Sequence, residues 1–316
     1  MNPGEFTTAL KTAAARIGFD KIGIAAATEL AGDGELLKEW LSRGYQGTMS
    51  WMDRRRDERI DIRNVFPDIR SVVVVAINYY TDVAHSTSPG TGKISRYAWG
   101  ADYHEIVLER IDRLLAAAKE LDPAVHGLTY VDTGPVMEKA WAERSGIGWR
   151  GKHTNVITTE LGSWIFLGVL LLNVECEYDT PATDHCGTCT LCIDACPTDA
   201  IVEPYLLDAT RCISYLTIEH RGDIPADLGR SFEGWIFGCD ICQDVCPWNE
   251  RFARPTAIGE FSPSPETRAP DLAAAAALSP EEFRSTFGQS PVRRAKYEGF
   301  IRNVRIAQQY SKDHLP

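Results

Sequence analysis

Over the first 174 residues, apolar positions fall into two rhythms, one helical and one strand-like, that follow each other along the chain. Residues 5–17 carry apolar side chains at helical spacing and predict a helix, Lys21–Ala26 predicts a short strand, and 35–42 predicts a second helix with Gly44 placed to cap it. The unbroken run Ser71-Val-Val-Val-Val-Ala-Ile-Asn78 predicts a strand buried on both faces. Residues 103–121 read as an amphipathic helix closed by Asp122-Pro123. A strand over 127–132 is broken by Thr133-Gly-Pro135, and a helix then runs to Gly146. Strands at 154–158 and 163–174 complete a layered unit of helices on a sheet. The last of these apolar stretches is too short to cross a bilayer, so no membrane role is expected.

Beyond residue 175 the periodicity gives way to cysteines. The run Cys186-Gly-Thr-Cys189-Thr-Leu-Cys192-Ile-Asp-Ala-Cys196-Pro197 has the C-x2-C-x2-C-x3-C-P spacing that wraps a 4Fe-4S cluster. Cys239-Asp-Ile-Cys242-Gln-Asp-Val-Cys246-Pro247 repeats its last part, so two clusters and electron movement are expected. Three thiolates on one turning loop can reach three corners of a cube, whereas the fourth, a helical turn further on, points to a different cluster. This crossover assigns Cys186, Cys189, Cys192 and Cys246 to one cluster and Cys196, Cys239 and Cys242 to the other. The eighth ligand falls to Cys212 or Cys176. Cys212 is preferred because it lies between the two runs after a turn signal, while Cys176 ends a strand-like run and reads as a small buried side chain. Disulfides would need an oxidising compartment, and paired zinc sites would normally lack the C-x3-C-P ending.

After the cysteines come Pro-punctuated residues, a capping box at Ser279-Pro-Glu-Glu282 and a final helix over 291–310. With 316 residues, 44% of them hydrophobic, the chain suits two or three domains with a real core, so clusters need not staple the fold. Its opening Met-Asn-Pro-Gly-Glu-Phe has neither a basic-then-apolar signal nor a twin arginine, which points to a reduced, cytoplasmic setting. A net charge of -11 argues against indiscriminate nucleic-acid binding. Two local basic patches stand against that trend: Arg54, Arg55, Arg56, Arg59 and Arg63, and Arg293, Arg294, Lys296, Arg302 and Arg305. From charge alone each reads more simply as a solvated helix face with acidic neighbours.

Asp132 ends a predicted strand just before a helix-starting turn, a place where open α/β sheets gather ligands and where a buried carboxyl can serve as proton donor. An aspartate that caps the following helix is an equal reading of the same residue. No G-x-G-x-x-G follows a strand, and neither a P-loop nor a G-x-S-x-G is present, so nicotinamide binding, ATP hydrolysis and serine hydrolase chemistry have no support.

Five segments then act together: Ser95-Arg-Tyr-Ala-Trp-Gly100 with Asp102-Tyr-His104, Val131-Asp-Thr-Gly-Pro-Val136, Gly148-Trp-Arg-Gly-Lys-His153, Cys212-Ile-Ser-Tyr-Leu-Thr-Ile-Glu219, and Gly238-Cys-Asp-Ile-Cys-Gln-Asp-Val-Cys-Pro-Trp-Asn249. Jointly they resemble the epoxyqueuosine reductases, over residues 5–310. The resemblance implies an α+β or α/β fold with three parts. Residues 1–174 would form a layered, cobalamin-binding catalytic domain related to reductive dehalogenases, 175–251 a ferredoxin-like domain with two 4Fe-4S clusters, and 252–316 a C-terminal linker and helices. It implies reduction of the epoxide of epoxyqueuosine in tRNA to queuosine, with Asp132 as proton donor and electrons from an external donor. It places Cys212 with Cys196, Cys239 and Cys242, and cobalamin contacts on Arg55, Tyr97, Asp132, Val156, Ser214 and Asp240.

The resemblance also implies a tRNA partner read at its anticodon loop, with the modified base splayed out, a mode that suits the basic and aromatic patches. A monomer is the expected working form. Asp102-Tyr-His104 does not continue into the D-x-H-x-x-G signature of a lower axial histidine, since Val107 stands where glycine belongs, which fits cobalamin held without a protein imidazole. Some longer relatives continue into HEAT-like repeats, and a chain ending at Pro316 is expected to do without them. The alternatives are a reductive dehalogenase-like enzyme and a non-catalytic two-cluster electron-transfer protein.

Overall fold

The apolar run at 71–78 becomes the centre of a four-stranded sheet. The computed structural model describes residues 1–310, and in it the strands β1 (Lys21–Ala26), β2 (Ser71–Asn78), β3 (Gly127–Tyr130) and β4 (Ile165–Leu172) lie in the order β1-β2-β4-β3. Every pair is antiparallel, with Val74 opposite Gly23 on one side and Val169 on the other. All eight residues of β2 are buried, because helices cover both faces. Val72, Val74 and Ala76 face a core built with Trp141, Ile147 and Leu161, while Val73, Val75 and Ile77 alternate to the other side. On that other side the helix α3 (Tyr103–Leu121) lays Val107 and Ile111 over Gly168 of β4.

The helix α1 (Pro3–Ile17) starts two residues before the expected boundary because Asn2 and Glu5 form a capping box ahead of it. The helix α2 (Ala31–Ser42) likewise begins earlier than 35, and Gly44 follows its C-terminus with φ +72, as expected. The helix α4 (Glu138–Arg144) is short, because the chain needs residues 131–137 to turn. The sheet is antiparallel throughout, so the rule that ligands gather at the strand ends of parallel α/β sheets does not carry over to Asp132.

Compactness divides the chain otherwise than its cysteine pattern does. One unit comprises Met1–Gly44, Trp51–Asn78 and His104–Cys189 and holds the sheet; the other comprises Tyr45–Ser50, Tyr79–Tyr103 and the chain from Thr190 onward. In the second unit short elements surround an aromatic core, where the Phe283 and Phe287 rings lie 5.2 and 5.1 Å from that of Phe300. A strand Lys93–Ile94, which the sequence pattern does not announce, pairs in parallel with Trp235–Phe237.

The capping box at Ser279 and Glu282 is present. The single helix expected over 291–310 is two pieces, a 3-10 turn at Pro291–Ala295 and a helix Lys296–Tyr310. Lys296 takes φ +59 between them, which interrupts the backbone ladder. Buried Asn303 ties the second piece down by donating to the carbonyls of Thr217 and Ile236 at 2.8 and 2.9 Å. No helix of the described residues is long and apolar enough to cross a membrane.

Candidate active site

At the end of β3 the chain leaves the sheet in a tight turn. The Thr133 N–H donates to the Val131 carbonyl at 2.6 Å, which leaves Asp132 at the apex with φ +55. That left-handed conformation costs a non-glycine residue about 1 kcal/mol, least for Asp and Asn. Gly134 is required here, since a Cβ would stand 2.2 Å from the Tyr130 ring. The outcome is an Asp132 side chain held half-exposed at a strained apex, 53% accessible.

Glu138, in the first turn of α4, sits buried behind this apex and accepts the Asp132 N–H at 2.7 Å on Oε1. Asp132 does not cap α4: the N-cap position is Met137, and no side chain caps there. Burial pushes the Glu138 carboxyl well above its ordinary range, and the Asp132 charge beside it adds to the effect. The buried Arg59 guanidinium attracts Glu138 and donates to the Gly134 carbonyl at 3.3 Å, while Trp51 lies 5.6 Å beneath it. Burial, and then the neighbouring Arg55 charge, lower the Arg59 pKa from its usual value. His104, at the start of α3, brings Nε2 to 3.9 Å from Asp132 Oδ2.

A folded Glu138 that keeps its proton well above the ordinary carboxylate range holds a proton that the unfolded chain releases from about pH 4.3 upward. Its contribution to stability is complete below about pH 4.3 and declines, by up to ~1.4 kcal/mol per pH unit, until the folded group ionises. Glu138→Gln is therefore expected to gain stability relative to the parent as the pH rises above about 4.3, for as long as the folded Glu138 keeps its proton, in urea melts. Parallel stability curves for the two proteins would show that Glu138 ionises as readily as it does in water.

The remaining expected cofactor contacts have clear local roles. Arg55 pairs with Glu58 at 3.1 Å, and Val156 is buried opposite Arg150 in a two-stranded ribbon. In the second unit, fully buried Asp240 accepts from the Ser95 hydroxyl and from the Arg96 N–H at 2.9 Å, and its Oδ2 lies 3.3 Å from the Arg96 guanidinium. Gly238 closes the same junction with φ +67, and a Cβ there would lie 2.5 Å from that of Ser95 and 3.3 Å from the Tyr97 ring. Its N–H donates to Thr217, in the helix Ile213–Ile218 that carries Ser214. Tyr97, Ser214 and Asp240 thus belong to three segments that meet at Gly238.

The cysteine runs fold alike. Each places a four-residue helix, Leu191–Asp194 or Ile241–Asp244, over the last cysteine of its C-x2-C spacing and ahead of its Cys-Pro, and the two helices pack together. Cys242 is held far above the usual thiol range by burial and by the charges of Cys212, Cys192 and Cys196; Cys239 is raised by burial, Cys242 and Cys212. Thiols crowded out of water in this way repel one another as thiolates, a cost that soft metal ions such as iron remove. The donor set therefore fits iron-sulfur ligation. Cys176 lies instead in the first unit, where its N–H donates to Ser71 at 3.1 Å and burial raises its thiol. In that unit too, the Lys152 ammonium donates to the carbonyls of Gly187 and Cys189 at 2.6 and 2.9 Å, steadying the first cysteine turn.

The basic patches are less open than their charge suggests. Arg293 pairs with buried Asp102 at 2.8 Å, Arg294 grips Glu219 with two bonds, and Arg302 donates to the carbonyls of Leu216, His220 and Gly222. In the other patch Arg56 meets Asp53, Arg63 meets Asp61, and Arg59 is buried. Lys296 and Arg305 are exposed.

Sequence reasoning passed over His104 once its motif failed, and it did not single out Glu138 at all. A carboxylate in the first helical turn after an irregular segment is the only signal Glu138 leaves, and it is a common one.

Comparison with known proteins matches residues 185–249 to a family described as a 4Fe-4S double cluster binding domain and residues 59–133 to one described as Epoxyqueuosine reductase QueG, DUF1730. An epoxyqueuosine reductase of Atelocyanobacterium thalassa is 45% identical over 302 residues, which cover 95% of this chain and 98% of that protein. A crystal structure of an epoxyqueuosine reductase with a tRNA-Tyr stem loop carrying epoxyqueuosine superposes with a TM-score of 0.91 at 33% identity, covering 98% of this chain and 82% of the other. A Bacillus subtilis epoxyqueuosine reductase, whose catalytic aspartate loop is swung out of the active site, gives 0.90 at 31% identity with the same coverage. The chain therefore carries a double-cluster 4Fe-4S domain and is a member of the epoxyqueuosine reductase family of oxidoreductases.

Proposed function

We propose that this chain reduces the epoxide of epoxyqueuosine in tRNA to queuosine, with Asp132 as the proton donor. The presentation of Asp132 carries the reading: a half-exposed carboxyl at a strained apex hemmed by Gly134 and backed by Glu138. Overall the reaction consumes two electrons and two protons and releases the epoxide oxygen as water, leaving an alkene. Asp132 protonates the oxygen as the first C–O bond of the ring breaks, so that an alcohol rather than an alkoxide forms on the neighbouring carbon, and the second proton lets that oxygen leave as water when the second C–O bond breaks. His104, close to the Asp132 carboxyl, is placed to restore that proton afterwards.

Cobalamin, when bound, supplies a low-valent nucleophilic metal for opening the strained ring, and the iron-sulfur clusters supply electrons singly from an external donor. Two buried polar atoms fit a ligand rimmed with amides, as a corrin is: Arg59 Nε and His153 Nε2 have no hydrogen-bond partner among the described residues. Arg55, Tyr97, Val156, Ser214 and Asp240 are the residues assigned to hold the cofactor. Asp240 already serves Ser95 and Arg96 with its carboxylate, so its part is to fix the loop at Gly238. Cys186, Cys189, Cys192 and Cys246 are assigned to one cluster, and Cys196, Cys212, Cys239 and Cys242 to the other. Arg54, Lys296 and Arg305 are exposed cations of the two patches that can meet RNA phosphates.

The test is anaerobic reconstitution with iron, sulfide and cobalamin, followed by assay on an anticodon stem loop bearing epoxyqueuosine. Conversion to queuosine is expected. A fully loaded protein that leaves the epoxide intact would overturn the proposal.

A further inference from the structure

The Asp132 turn is strained, with Asp132 at φ +55. The Thr133 to Val131 bond spans only the apex, and Gly134 and Pro135 follow immediately. The Asp132 backbone is tied to a regular element through α4, where Glu138 Oε1 accepts the Asp132 N–H at 2.7 Å. Arg59 fastens the next point of the turn through the Gly134 carbonyl. Glu138 is 9% exposed, so its carboxyl has no solvent conformation to relax into.

We propose that Glu138 is the positioning residue of the active site, latching residues 131–136 so that the Asp132 carboxyl is presented at the apex. The proposal rests on the reading of Asp132 as proton donor. Glu138 touches none of the reacting atoms; it acts through Asp132. The groups facing it are Asp132 on the turn, Lys139 on α4 and Arg59 on the short helix Arg56–Ile60, where Arg59 itself also feels Arg55 and Glu58, with His104 of α3 on the far side of Asp132. Burial and the Asp132 charge favour a protonated Glu138, which suits a latch: a neutral carboxyl accepts the backbone N–H without placing a second charge behind the proton donor.

Two substitutions separate latch from scaffold. Glu138→Ala removes the acceptor, whereas Glu138→Gln keeps an Oε1 in the same place with no ionisable proton. In the reconstituted holoenzyme, Glu138→Ala is expected to lower kcat about 100-fold, the scale of a misplaced catalytic group, with KM for the stem loop within about twofold. Amide exchange of residues 131–136 should accelerate at least about tenfold in the same variant, while exchange in β2 stays as in the parent. Glu138→Gln should restore both the slow exchange and kcat to within about fivefold of the parent. Unchanged loop exchange in Glu138→Ala, or a Glu138→Gln protein as impaired as Glu138→Ala with equal cluster content and melting temperature, would overturn the latch. Asp132→Asn run alongside keeps the two ideas apart: normal turnover there removes the proton-donor reading, while the exchange rates still report on the latch.

Discussion

Asp132→Asn is expected to lose between about 10²- and 10⁴-fold in kcat for epoxide reduction, the range over which a positioned proton donor accelerates a reaction. Asn is the informative replacement. It tolerates the left-handed backbone nearly as well as Asp, it keeps the N–H that Glu138 accepts, and it occupies the same volume beside His104. Folding, cluster content and stem-loop binding should therefore match the parent, leaving the missing acid as the difference. Removing the Asp132 charge also lets Glu138 ionise more readily, since that charge is one cause of its raised range. An Asp132→Asn protein within a few-fold of the parent in single-turnover assays would mean that the oxygen is protonated by another group.

Replacing Cys212 by Ala is expected to remove one intact four-iron cluster, total iron falling from about eight toward about four per chain, with turnover lost because the electron route is cut. Cys176→Ala is the matched control. Its thiol is buried near Ser71 rather than among the other cysteines, so iron should be unchanged and the cost limited to about 1 kcal/mol of stability. The two variants exchange their meaning if the assignment is wrong. Iron lost in Cys176→Ala and retained in Cys212→Ala would place the eighth ligand on Cys176. Iron analysis with electron paramagnetic resonance after reduction decides between them.

Where local chemistry decides local structure, the sequence is a good guide. The run at 71–78 and the amphipathic pattern of 103–121 specify their elements to the residue, because an unbroken β-branched run and a helical apolar period each mark one kind of element. The antiparallel order of the sheet is set by which strands meet across long stretches of chain, and no window around Val74 contains that information. The break at Lys296 is invisible for a related reason. Lysine is a good helix former, and its positive φ is imposed by the packing of the residues on either side. The double-cluster domain was legible in the two cysteine runs because a cube imposes fixed spacings on its ligands. Glu138 was not, because its role is defined by a 2.7 Å contact with the backbone of another residue, which leaves no trace in spacing. The arginine patches stood out by charge, yet Arg293, Arg294 and Arg302 turn out to bind partners of their own chain.

The unit that holds the sheet and the second unit are each stitched from separate stretches of chain, with Tyr45–Ser50 and Tyr79–Tyr103 belonging to the second although the sequence around them belongs to the first. No single cut in the gene therefore separates the two units, since any cut leaves at least one of them incomplete. Such an arrangement resists exchange of either unit by recombination at one site, because each unit is encoded in several separate stretches that would have to move together.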